Sequence, residues 1–133
     1  MGCMTRSDEP LDPGTIADYA RDGAVLLRGV LTADELARLA RGIEHNLAHL
    51  SPLALVASEP DDPGRFVEDF CTWQQNPDFE AILLHSRLPA LAGQLMGSRT
   101  ARLYHDHLLV KEAGTRQPTP WHQDQPYYNV SGR

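Results

Sequence analysis

The sequence predicts an α+β fold, with helices gathered in the first two-thirds of the chain and strand-forming residues concentrated in the last third. Two observations carry this. A capping box at Thr32-Ala33-Asp34-Glu35 opens an amphipathic helix. From Thr100 to Glu112 the pattern turns to period two, with Leu103, His105, His107, Leu109 and Lys111 on one face and Tyr104, Asp106, Leu108 and Val110 on the other.

Each element has its own punctuation. Residues 1–13 are polar, mixed in charge and expected to form a disordered tail. A first helix starts at Pro13 to Thr15, runs through Ile16, Tyr19 and Ala20 to Asp22, and stops at Gly23, whose missing side chain suits a left-handed cap. Ala24 to Val30, an apolar run between Gly23 and Gly29, reads as a short buried strand. In the capped helix Leu36, Leu39, Ala40, Ile43, Leu47 and Leu50 recur at spacings of three and four, until Ser51-Pro52 ends it. Residues 51–64 hold three prolines, three acids and Gly64 and read as a surface loop, with a lid as a second possibility. Arg65 to Trp73 reads as a strand. Pro77 to Ser86 reads as a helix capped near Asn76 with Phe79, Ile82 and Leu83 inward, and Leu88 to Met96 as another closed by Gly97.

Composition narrows the function classes. A chain of 133 residues with 41% hydrophobic and 23% charged residues has the content of one globular domain. Its apolar runs are too short to cross a bilayer, and no basic stretch followed by an apolar core marks a signal peptide, so a cytoplasmic location is expected. The net charge of −6, with Lys and Arg scattered, speaks against nucleic-acid binding and for a small-molecule substrate. The two cysteines, Cys3 and Cys71, lack metal-binding spacing and read as reduced thiols. His45 and His49, four apart on the long helix, have a spacing that can bind metal, but no acidic partner completes a protease-type motif, so they read as solvated.

The chemistry concentrates at Trp121-His122-Gln123-Asp124-Gln125-Pro126-Tyr127-Tyr128. A histidine and an acid two apart on an extended segment point the same way, and an imidazole nitrogen with a carboxylate oxygen suits Fe(II) in a facial triad that leaves positions open for co-substrate and oxygen. A bare H-x-D pair arises easily by chance, so its surroundings have to carry the reading.

Those surroundings resemble the phytanoyl-CoA dioxygenase family of Fe(II)- and 2-oxoglutarate-dependent oxygenases. The resemblance rests on Tyr104-His105-Asp106-His107-Leu108-Leu109-Val110-Lys111, then a Gly- and Pro-containing loop, then Thr119-Pro120-Trp121-His122-Gln123-Asp124-Gln125-Pro126-Tyr127. It extends more loosely from about residue 14. The resemblance implies N-terminal helices packed on a double-stranded β-helix of jelly-roll or cupin type, with residues 14–133 as part of a single oxygenase domain. It implies that His122 and Asp124 bind Fe(II), and that His107, Gln123 and Lys111 lie toward 2-oxoglutarate. For His107 the alternative is a strand histidine satisfied by a neighbour, and for Lys111 a solvated strand end. Trp121 and Tyr127 either wall the site or act as core aromatics beside a turn. Halogenating relatives carry a small residue where this chain has Asp124, so the implied reaction is hydroxylation of a small organic substrate.

Family members are longer. The strands that close the barrel, the distal histidine of the triad and the arginine that pairs with 2-oxoglutarate have no counterpart before Arg133, and His45, His49, His85 and His105 precede the motif and are not expected to substitute. An incomplete sheet is expected to expose edges through which the chain self-associates. The alternative function is that of a catalytically inactive, truncated homologue acting as a binding or structural protein.

Overall fold

The structure is a computed structural model and describes residues 10–129. Its elements in chain order are α1 (Pro13–Asp22), α2 (Ala33–Ala48), β1 (Leu55–Val56), β2 (Phe66–Phe70), α3 (Pro77–His85), α4 (Leu88–Leu95) and β3 (His107–Lys111). The three strands form one open antiparallel sheet in the order β1-β2-β3, with Phe66 opposite Lys111 and Phe70 opposite His107. None of the described helices is long and apolar enough to cross a membrane.

The helix starts follow their predicted punctuation, whereas α2 ends at Ala48 with His49 as its C-cap and so stops short of Leu50 and the expected Ser51-Pro52 end. Asp12 accepts from Thr15 N–H at the start of α1, and Gly23 closes the helix at φ 75°; the backbone N–H of Leu11 also donates to Gln94 at 2.6 Å, so residues 10–13 of the expected tail are tied down. Residues 1–9 lie outside those described. Both halves of the capping box at Thr32 are present, and the Asn76 carboxamide caps α3 while donating to the Gly42 carbonyl at 2.9 Å.

The α2 contact face differs from the predicted stripe. Leu39, Ile43 and Leu47 are half-buried, but Leu36 is 54% exposed, Ala40 is exposed, and the fully buried residues are Gly42 and Asn46. The reason is the closeness of α3: a Cβ on Gly42 would lie 2.8 Å from the Phe79 ring, so a glycine sets the distance between the helices. Val67, Phe79, Ile82 and Leu91 form the buried apolar set on the helix side of the sheet, and Phe66 is buried on its other face beneath Lys111.

Two predicted strands are altered. Ala24–Val30 is no strand, because the sheet of the described residues is completed by β1, β2 and β3 without it; its inward residues Val25, Leu27 and Val30 instead wall an apolar groove of about 650 Å³ with Leu36 and Leu91. The period-two segment is a strand only from His107 onward. Its partner β2 ends at Phe70, and Cys71 takes φ 59°, a left-handed conformation unusual for a residue with a side chain, which turns the chain away. Residues before His107 then have no ladder to join, beyond one bond from Cys71 N–H to the Asp106 carbonyl at 3.1 Å. The predicted 51–64 loop contains the two-residue strand β1, which pairs with Val67 and Glu68.

A buried carboxylate joins helix to sheet. Asp69 is 0% exposed and accepts from Asn46 Nδ2 at 2.7 Å, Ser51 N–H at 2.9 Å, Phe70 N–H at 2.9 Å and the Ser51 hydroxyl. Burial by itself pushes this carboxyl up, but the bonds from Ser51, Asn46 and Phe70 outweigh it and hold it below the usual carboxylate range. Asp69→Ala therefore leaves several buried donors without an acceptor, and urea unfolding should show a loss of about 3 kcal/mol or more, at roughly 1–3 kcal/mol per orphaned group. With a depressed folded pKa the stabilisation is present above about pH 4 and is lost as pH falls through the folded value. The acid limb of the stability curve should flatten in Asp69→Asn.

Candidate functional site

The sheet has two unlike faces. Val67, Asp69, Leu108 and Val110 turn toward the helices, and His107, Leu109 and Lys111 are exposed on the opposite face beside Phe66, Glu68 and Phe70. There the His107 ring stacks on Phe70 with centroids 4.1 Å apart, and Lys111 Nζ lies 4.5 Å from the Phe66 centroid while donating to the Gln117 carbonyl at 3.1 Å. His107 and Lys111, four residues apart on a strand, are separated by about 13 Å along it.

After β3 the chain is strapped to the 57–64 loop. Arg65 and Glu112 exchange side-chain and backbone bonds, including Arg65 NH2 to Glu112 Oε1 at 2.7 Å. Gly64 and Gly114 let the two loops touch: a Cβ on Gly64 would sit 2.3 Å from the Ala113 carbonyl oxygen, and Gly114 at φ 94° lies against Pro63. Arg116 donates from its backbone N–H and from Nε to Asp62, whose side chain is fully buried, and from NH2 to Asp61. Arg116 holds the Asp62 carboxyl below its ordinary range through its guanidinium and N–H bonds. The 51–64 loop is thus a fixed strap here, and the strap sets where the Pro118 to Pro120 segment begins.

That segment delivers His122 and Asp124. The His122 Nδ1 lies 2.8 Å from the Pro120 carbonyl oxygen, and Nε2 lies 3.2 Å from Asp124 Oδ1. Asp124 is fixed from the other side by a turn in which Tyr127 N–H donates to its carbonyl at 2.8 Å. Tyr128 then packs between Tyr104 and His105, at centroid distances of 5.7 and 5.3 Å, anchoring the segment beside the sheet.

The pair has a defined electrostatic character. A carbonyl oxygen only accepts, so Nδ1 carries the proton and the neutral ring presents a bare Nε2 lone pair to a carboxylate oxygen. Two acceptors 3.2 Å apart require a cation between them, either a proton or a metal ion. The Pro120 carbonyl raises the His122 pKa most; burial opposes it, and the Asp124 charge and hydrogen bond add to the net rise. Two ligands each about 2.1 Å from an ion and at right angles lie about 3 Å apart, which is the separation found.

Among the described residues no third His, Cys, Asp or Glu joins this pair, and no direct bond or ring contact links it to His107, Lys111 or Gln123. Gln123 is exposed, and Trp121 and Tyr127, at 104% and 88% exposure, are surface residues here and not core aromatics. Sequence reading missed the Asp62–Arg116 strap and the Tyr128 anchor. The paired acids 61 and 62 were the available signal for the first, but their partner lies 54 positions away.

The sequence model of the phytanoyl-CoA dioxygenase family matches residues 19–133, and the chain belongs to that family. The family is generally Fe(II)- and 2-oxoglutarate-dependent. No curated protein and no solved structure gave a match.

If Asp62 holds the strap, Asp62→Ala frees Arg116. Limited trypsin digestion should then cleave after Arg116 several-fold faster than in the parent, with cleavage after Arg38 and Arg41 on α2 unchanged.

Proposed function

We propose that the chain is part of an Fe(II)- and 2-oxoglutarate-dependent hydroxylase of a small organic substrate, with His122 and Asp124 as two of its iron ligands. One observation supports this above the others: a proton-committed Nδ1 turns the His122 Nε2 lone pair onto a carboxylate oxygen at 3.2 Å, a pairing that a metal ion satisfies. The donor set, one imidazole and one carboxylate, fits a divalent first-row ion, and the Pro120 carbonyl supplies the outer hydrogen bond that metal-bound histidines commonly make. Family membership points the same way.

In this reading the bound ion, with 2-oxoglutarate and oxygen, supplies the power to oxidise a C–H bond. The protein's own part is placement. The Pro120 carbonyl fixes the ring tautomer, Asp124 contributes negative charge that favours a divalent cation, and the turn closed by Tyr127 holds the carboxylate toward the ring. His107 belongs to the co-substrate side, because through Phe70 and His105 it adjoins the Tyr128 anchor of the metal segment. Lys111, some four residues further along and already bonded to Gln117, holds the turn that leads there. Gln123, the residue between the ligands, is assigned to the co-substrate side by the family resemblance alone. The third ligand comes from outside the described residues or from a second copy, and the exposed outer sheet face is where the remaining strands of a double-stranded β-helix would pack.

Anaerobic addition of Fe(II) and 2-oxoglutarate to the full chain should produce the weak visible charge-transfer band of a chelated complex, and its absence at high ligand concentration would sink the proposal. His122→Ala or Asp124→Ala should weaken Co(II) binding at this position by about 100-fold or more, beyond the roughly 10–100-fold typical of losing a ligand's hydrogen-bond partner.

A further inference from the structure

We propose that His45 and His49, at the end of α2, form a second divalent-cation site, independent of His122 and Asp124 and selective for imidazole-seeking ions such as Zn²⁺, Ni²⁺ and Cu²⁺. The two rings lie one helical turn apart on the same exposed face and are stacked, with centroids 4.6 Å apart and planes 30° apart. The His49 Nδ1 sits 3.0 Å from the His45 carbonyl oxygen and must donate to it, which leaves Nε2 bare. A ring with one nitrogen bonded to a carbonyl and the other free is the form in which histidine binds metal. Two nitrogens that share one ion at about 2.1 Å each must lie within about 4.2 Å of one another, and the ring centroids, 4.6 Å apart, are already close to that spacing.

The surroundings add to the pair. The rings border a concave site of about 170 Å³ whose other walls include Ser51, Thr72 and Asn76, with the exposed Gln75 side chain as the polar group able to bond metal-bound water. His45 stands in the last turn of α2 and His49 is its C-cap, so both lie at the negative end of the helix dipole, where a cation is favoured. Imidazole nitrogen selects borderline transition ions, whereas Mg²⁺ and Ca²⁺ demand oxygen ligands that this pair lacks. An ion bridging residues 45 and 49 would clip the final turn of α2, the turn from which Asn46 reaches Asp69, and so would stabilise the folded state.

The test is Ni²⁺ titration of the full chain by calorimetry, in the His122→Ala/Asp124→Ala background so that the two sites are read separately. One equivalent should still bind. Adding His49→Ala should lower that affinity by at least about tenfold, as expected when one of two linked ligands is lost, and adding His45→Ala as well should abolish it. Binding unchanged by both substitutions would overturn the proposal. A second measurement needs no variant: substoichiometric Cu²⁺ should broaden the ring resonances of His45 and His49 before those of His85 and His105. Earlier broadening of His85 or His105 would overturn it equally. Neither result bears on the Fe(II) reading, which fails or stands on the charge-transfer band.

Discussion

The fold depends on a buried carboxylate with every acceptor position engaged. Asp69 sits on β2 with no solvent contact, and the donors it requires come from three places: the side chain of Asn46 on α2, the backbone and hydroxyl of Ser51 after α2, and the N–H of Phe70 beside it. An unpaired carboxylate in that position would be costly, so the end of α2, the turn at Ser51 and the middle of β2 have to meet in one arrangement. With β2 fixed, β3 follows by pairing along its length, and the helix seam at Gly42 and Phe79 packs over the same side of the sheet. Nearby, the half-buried Asp106 accepts through one oxygen only, from the backbone N–H and hydroxyl of Thr72 just past the left-handed Cys71.

From this core, position is passed outward by charge and ring contacts. Exposed ion pairs contribute little in general, but the pairs between the 57–65 segment and the 112–117 turn form a network in which the Asp62 side chain is fully buried. The network does not touch His122 or Asp124. It fixes the start of a proline-stiffened stretch, and Tyr128 against Tyr104 and His105 fixes its far end, so that the two candidate ligands lie between two anchored points. These two candidate ligands are at the surface, with side-chain exposures of 58% and 72%, and a catalytic centre needs further walls to exclude water.

Much of this was legible in the residues and some was not. The helices were legible because their signals are local: Asp12 and Gly23 around α1, Thr32 and Glu35 at α2, Asn76 before Pro77, and Gly97 after α4. The convergence of His122 and Asp124 was legible for the same reason, since two positions on one short segment share a neighbourhood whatever the rest of the chain does. The strands were less so. Ala24–Val30 has strand-like residues but lies outside the sheet of the described residues, and Tyr104 to Asp106 continue the alternation of β3 but find that β2 has already turned away at Cys71.

The sequence alone therefore determined where the helices begin, the nearness of residues 122 and 124 and the family to which the chain belongs, because each rests on neighbours a few positions apart or on a contiguous motif. Tertiary structure alone decided which extended segments became strands, that Asn46 and Gly42 replace leucines in the helix seam, and that Arg116 reaches Asp62. A strand exists only with a partner's backbone, and a buried charge survives only where distant donors close around it.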